Sequence, residues 1–169
     1  GAMGFATDTF GFLWVLHREG VSRFDGARFK NYALPNVPGA LVCDIANRVW
    51  VITNQKLYRF DRFYDRFHTI SLPDSTDGGQ MNFLPSNDGL VWFRRKQGLF
   101  RIAPTDSLPV MVSAKVPVPA GREYGFRDSK GRFWFNGCDF LLIRLDLEKN
   151  RLDSFDFNPE GCAHYWFED

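Results

Sequence analysis

The chain has little that would commit it to a charged partner. Lysine plus arginine number 21 and aspartate plus glutamate 20, for a net charge of +1. A balance so close to neutral excludes the strong basic field of a nucleic-acid binder or of a protein held on an anionic membrane. No apolar run approaches the roughly 20 residues that cross a bilayer, so no direct membrane contact is expected. Cysteine is scarce, with Cys43, Cys138 and Cys162 alone. An odd count without a CxxC pair makes both a disulfide framework and a zinc site poor readings. The three histidines, His17, His68 and His164, show no metal-ligand spacing and no nucleophile motif. Asp74 to Gly79 only faintly suggests a calcium loop, since the alternating acidic spacing and the closing glutamate are missing. No metal and no cofactor are expected.

What the chain has in excess is aromatic surface, 17% of residues, including 18 phenylalanines. Such residues suit strands that pack broad faces on one another. Four tryptophans are spaced evenly. Trp14, Trp50, Trp92 and Trp134 lie 36, 42 and 42 residues apart. Six residues before three of them stands an aspartate: Asp8, Asp44 and Asp128, with Ser86 in the third repeat. Three residues before each is a turn former: Gly11, Asn47, Gly89 and Gly131. Nine or ten residues after each comes Arg23-Phe24, Arg59-Phe60, Arg101-Ile102 or Arg144-Leu145. Self-similarity at about 40 residues with strand-like segments predicts β-propeller blades. The fold class is therefore all-β, about four β-propeller blades taken from a longer array.

The repeat divides the chain into blades at 4–39, 40–80, 81–121 and 122–161. Residues 162–169 read as the first strand of a fifth, and Gly1-Ala2-Met3 as the remnant of a cleaved tag. Each blade is expected to hold an inner strand, a tight turn, the tryptophan strand, a polar loop and a third strand. A variable outer strand follows. Leu141 to Leu152 has helical propensity, but Arg144 and Asp146 fall in register with Arg23 and Asp25, so strand is expected there. The first inner strand is expected to be cut short near Phe5.

The pattern Asp8-Thr9-Phe10-Gly11-Phe12-Leu13-Trp14, followed by Gly20-Val21-Ser22-Arg23-Phe24-Asp25-Gly26, resembles the two-component regulator propeller repeat. The resemblance spans nearly the whole chain, with Ser86 and Ala103 departing from it. It implies the periplasmic sensor region of a hybrid two-component system of Bacteroides-type gut bacteria. Such a sensor carries two seven-bladed propellers, a further β-domain and a transmembrane helix, with kinase and regulator modules in the cytoplasm. The input the resemblance implies is an oligosaccharide released from a glycan.

The recurring aspartates read as structural. Catalysis needs one asymmetric site, whereas a short acceptor side chain in every blade ties down turn amides. The recurring arginine is expected to lie along a strand with its head on a carbonyl or on the repeated aspartate. The loop after each tryptophan strand is the candidate binding surface, and it offers Arg18, Asn54, Arg94, Arg95, Lys96 and Asn136. These types could hold an acidic or hydroxylated sugar. Two other classes stay open. A sialidase-like propeller has a similar aspartate box, but there the aspartate stands five residues before the tryptophan, with one residue before the glycine, and not six. A protein-interaction propeller of the WD type would need Gly-His and Trp-Asp dipeptides, which are missing. The blade faces left uncovered at either end predict a homo-oligomer through terminal blades, with closure into a four-bladed ring as the alternative.

Overall fold

The computed structural model describes residues 1–72, 82–95, 97–114, 116, 124–136 and 141–156. They form four antiparallel sheets of four strands, each in simple up-and-down order. The first holds β1 (Ala2–Thr7), β2 (Leu13–His17), β3 (Gly20–Phe24) and β4 (Phe29–Ala33). The second holds β5 (Pro38–Cys43), β6 (Val49–Thr53), β7 (Lys56–Asp61) and β8 (Arg66–Ser71). The third holds β9 (Asn82–Leu84), β10 (Val91–Arg95), β11 (Gly98–Ile102) and β12 (Val110–Ser113). The fourth holds β13 (Tyr124–Arg127), β14 (Phe133–Asn136), β15 (Leu141–Asp146) and β16 (Arg151–Asp156). The four tryptophans occupy β2, β6, β10 and β14. The Leu141 segment is strand, as the register requires.

The first strands stand side by side, β1 against β5, β5 against β9 and β9 against β13. No comparable packing returns from β13 to β1 among the described residues. Among the described residues the four sheets are therefore consecutive blades around an open arc, with no closure into a four-bladed ring. The expected truncation of the first strand is corrected. β1 extends from Ala2 and pairs with β2 out to His17, since Ala2 to Thr7 all take extended backbone.

The core is three sandwiches between blades. Strand alternation turns even-numbered residues of β6 one way and odd-numbered ones the other. Val49 and Val51 pack with Trp14, Leu16 and Val21 of blade 1. Trp50 and Ile52 pack with Val91, Phe93, Phe100 and Ile102 of blade 3. Trp92 and Leu99 pack with Phe133, Phe135, Ile143 and Leu145 of blade 4. Trp14, Trp50 and Trp92 are buried under the next blade, whereas Trp134 is only half-buried. The outward face of blade 1 likewise exposes Phe5 and Phe29.

The third strands start with a tight approach in two blades. Gly20 has φ +143°, and a Cβ there would stand 2.1 Å from the Tyr32 carbonyl oxygen. Gly98 repeats this with φ +149° and the Ser113 carbonyl at 2.1 Å. Blade 2 has Lys56 at the equivalent place.

Candidate functional site

At one end of the blades lie the turns between first and second strands. Asp8 Oδ1 accepts hydrogen bonds from the amides of Phe10 and Phe12, both at 3.0 Å, and its Oδ2 accepts the Trp14 indole N–H at 2.9 Å. Asp44 does the same for Ala46, Arg48 and Trp50. Asp128 does so for Lys130, Arg132 and Trp134. The indole bond explains the fixed spacing of six residues. One carboxylate closes the turn and satisfies a buried N–H that packing would otherwise strand.

In blade 3 the sequence reading placed the loss of this aspartate at Ser86. The structure corrects that. Asp88 takes over the indole of Trp92 at 2.9 Å and the amide of Leu90 at 3.0 Å. The signal was present in Asn87-Asp88-Gly89 but displaced by two residues.

Each of these carboxylates also meets a guanidinium. Asp44 pairs with Arg48 at 2.7 Å and Asp128 with Arg132 at 2.6 Å, both within one turn. Asp8 pairs with Arg62 of blade 2 and Asp88 with Arg127 of blade 4, both at 2.8 Å. Burial alone would raise the pKa of Asp8, but hydrogen bonds from Trp14 and Arg62 and the Phe12 amide outweigh it and hold it below the ordinary carboxylate value. Asp88 and Asp128 follow, with Trp92 and Arg132 respectively the leading opponents of burial. A carboxylic acid held ionised and fully engaged is a poor general acid.

The recurring arginine lies along the third strand, as expected, and Arg59 puts its head on a carbonyl, but the heads of Arg23, Arg59 and Arg144 are not on the repeated aspartate. It sits directly across the strand pair from the tryptophan: Arg23 from Trp14, Arg59 from Trp50, Arg101 from Trp92 and Arg144 from Trp134. Three guanidinium groups lie over the indole, Arg23 and Arg59 at 5.7 Å and Arg144 at 5.6 Å. In blade 3 it is Arg127 that covers Trp92, at 5.4 Å. The heads then find acceptors outside the repeated aspartate. Arg23 reaches Asp65 at 3.1 Å, Arg59 the Pro104 carbonyl, and Arg144 Asp153 at 2.7 Å. Asp65 also receives Lys30 and, at 2.8 Å, the Tyr32 hydroxyl, so it clasps blade 1 to blade 2.

The opposite end carries the loops proposed as a binding surface. Arg18 and Asn54 are exposed on them. The Asn54 loop is stiff, since Thr53 Oγ1 accepts the Gln55 and Lys56 amides and donates to the Lys56 carbonyl at 3.1 Å. Asn36 donates to Gln55 at 3.1 Å and ties the connector to it.

Arg94 and Arg95 are not on a solvated loop. β10 runs through both, Arg95 pairing with Gly98, and they are 5% and 1% exposed. Burial pulls the pKa of Arg94 down to about 10, which still leaves it charged at neutral pH. Its guanidinium crosses to blade 4 and lies 5.8 Å from the Phe135 ring. Asn136 is buried at the end of β14. Lys96, the Asp74–Gly79 segment and the expected fifth-blade strand at 162–169 lie outside the described residues. The structure thus brings Arg18 and Asn54 to one surface and withdraws Arg94, Arg95 and Asn136 into the blades.

One polar group escaped the sequence reading. His17 Nε2 lies 3.0 Å from Ser22 Oγ, which donates to Asn31 Oδ1 at 2.6 Å. These residues line a concavity of about 330 Å³ with Glu19. The strand pairing of Ser22 with both Val15 and Asn31 puts them on the outward face of blade 1. Its sequence signal was the polar Ser22 where blades 2 to 4 have Tyr58, Phe100 and Ile143. Among the described residues no three His, Cys, Asp or Glu side chains gather to hold a metal ion.

No protein-family model matches the chain, and no curated protein does. Solved structures do. A streptogramin B lyase superposes with a TM-score of 0.72 at 19% identity, over 95% of this chain and 56% of that one. The catalytically inactive virginiamycin B lyase of Staphylococcus aureus, solved with quinupristin, gives 0.71 at 17%, over 94% and 56%. The extracellular domain of a hybrid two-component system of B. thetaiotaomicron gives 0.70 at 16%, over 91% and 24%. The chain is a run of β-propeller blades. It spans about half the length of the lyases and a quarter of the sensor domain, and at these identities the likeness carries the fold alone.

Proposed function

We propose that these blades belong to the extracytoplasmic, periplasmic sensor propeller of a hybrid two-component system, and that they recognise rather than transform their ligand. The observation that carries this reading is the state of the recurring acids. All four turn carboxylates are committed to an indole and a guanidinium, so none of these four acids is poised for hydrolysis. Supporting it are the repeat's resemblance in sequence and the superposition on an extracellular sensor domain. The ligand class is a glycan-derived oligosaccharide, met by the loop end through Arg18 and Asn54. Signal output belongs to kinase modules elsewhere in the parent protein.

A glycan array followed by calorimetry tests this. Saturable oligosaccharide binding that weakens in Arg18→Ala and Asn54→Ala, with the sugar recovered unchanged, is the expected result. Absence of any binding, or sugar cleavage, refutes it. The streptogramin B lyase likeness supports a second reading, an enzyme with His17 as base. Incubation with quinupristin, followed by mass spectrometry, separates the two.

A further inference from the structure

The three blade boundaries differ at their turn end. Between blades 1 and 2, Arg62 donates to the Asp8 carboxylate at 2.8 Å and to the Asn47 carbonyl at 3.1 Å. The Asn47 side chain also accepts the Thr9 amide at 2.8 Å. Between blades 3 and 4, Arg127 reaches back to Asp88 at 2.8 Å. Both boundaries are stitched shut by side chains that cross them.

Between blades 2 and 3 each of those side chains is missing. The residue twelve after the tryptophan is Arg62 in blade 2 but Pro104 in blade 3. The residue seven before it is Arg127 in blade 4 but Pro85 in blade 3. The residue three before it is Asn47 in blade 2 but Gly89 in blade 3. Two prolines and a glycine have no polar side-chain atom to send across, and the side chain that does cross here is Arg59 of blade 2, onto the Pro104 carbonyl. What remains is a cleft of about 150 Å³, walled by Val42, Cys43 and Ile45 on one side and Phe83, Pro85 and Leu90 on the other. Asp44, Ser86 and Asn87 border it, and Ile45 is 60% exposed.

We propose that this cleft binds a compact neutral aromatic group, a single ring system. Volume and walls set the first part, since an apolar cavity of about this size takes a benzene-sized guest in preference to water. Charge sets the second. The Asp44 carboxylate is already neutralised by Arg48 at 2.7 Å, so a cation finds no free counter-charge. An anion would lose its hydration against apolar walls. The cleft sits at the opposite end of the blades from Arg18 and Asn54, so it stands or falls independently of the oligosaccharide reading.

Indole titrated into ¹⁵N-labelled protein is the probe. Saturable shifts confined to the amides of Cys43, Ile45, Ser86 and Leu90 are expected. Benzylammonium and benzoate, of similar size but charged, should bind at least tenfold more weakly. The double variant Pro104→Arg with Gly89→Asn copies the closed boundary between blades 1 and 2, and should weaken indole binding at least tenfold without lowering Tm. Should that variant misfold, Ile45→Ala removes an exposed part of the wall and should weaken binding several-fold. Shifts that scatter or fail to saturate, charged analogues that bind equally, or wall and filling variants that bind as the parent does would each overturn the proposal.

Discussion

Trp50 and Trp134 occupy the same place in the repeat, yet their removal should differ in cost. Trp50 is fully buried among Ile52, Leu57, Val91 and Phe93 at the boundary of blades 2 and 3. Its indole N–H is held by Asp44 at 2.8 Å. Trp50→Ala therefore loses a large apolar contact, leaves a cavity and removes a hydrogen bond to a charged acceptor. The first two together cost about 3–5 kcal/mol. Trp50→Phe keeps most of the area and loses mainly the bond, about 1.5–3 kcal/mol. Trp134 has the same bond, to Asp128 at 2.8 Å, but is half-buried, so Trp134→Ala should cost about half as much as Trp50→Ala. Urea unfolding, followed by fluorescence of the remaining tryptophans, gives the three values. With a Tm change of ~2–4 °C per kcal/mol for a chain of this size, thermal scans should rank them identically. Equal destabilisation by Trp50→Ala and Trp134→Ala would refute the claim that stability resides in blade-on-blade contacts.

Gly20→Ala should unfold blade 1 or cost several kcal/mol, because its Cβ meets the Tyr32 carbonyl at 2.1 Å. Gly11→Ala, with φ +85° but open space around it, should cost only about 1–2 kcal/mol, and a thermal scan of both checks the contrast. Acid should destabilise the fold early. Asp8, Asp65, Asp88 and Asp128 have folded pKa values below their unfolded ones, so their stabilisation is full above roughly pH 5 and fades as pH falls through the folded values. Urea midpoints between pH 7 and 3 should fall, and Asp8→Asn should flatten the curve; a midpoint independent of pH would contradict the pairing. The outward faces of blades 1 and 4 expose Phe5, Phe29 and Phe155, so light scattering should report a homo-oligomer at micromolar concentration, and a stable monomer at high concentration would sink that expectation.

Much of the blade was legible from residues alone. A glycine or asparagine three before each tryptophan had to be a turn, and φ values of +85°, +60°, +79° and +77° at Gly11, Asn47, Gly89 and Gly131 bear that out. The strand at Leu141–Asp146 followed from register against its own helical propensity. The site was less legible. Arg94 and Arg95 looked like a charged loop because polarity is a correlate of exposure and not a cause of it. A strand that continues two residues further buries them, with Phe135 of the next blade beside Arg94.

Local chemistry therefore determined the period, the turns and the strand order, since each depends on residues within one repeat of about 40. Tertiary structure decided everything that crosses a boundary. Arg62 reaching Asp8 over 54 residues, Arg127 reaching Asp88 over 39, and the cleft between blades 2 and 3 depend on how neighbouring blades face each other. No spacing within a single repeat carries that information, because the partners come from different repeats and meet only when the sheets stack.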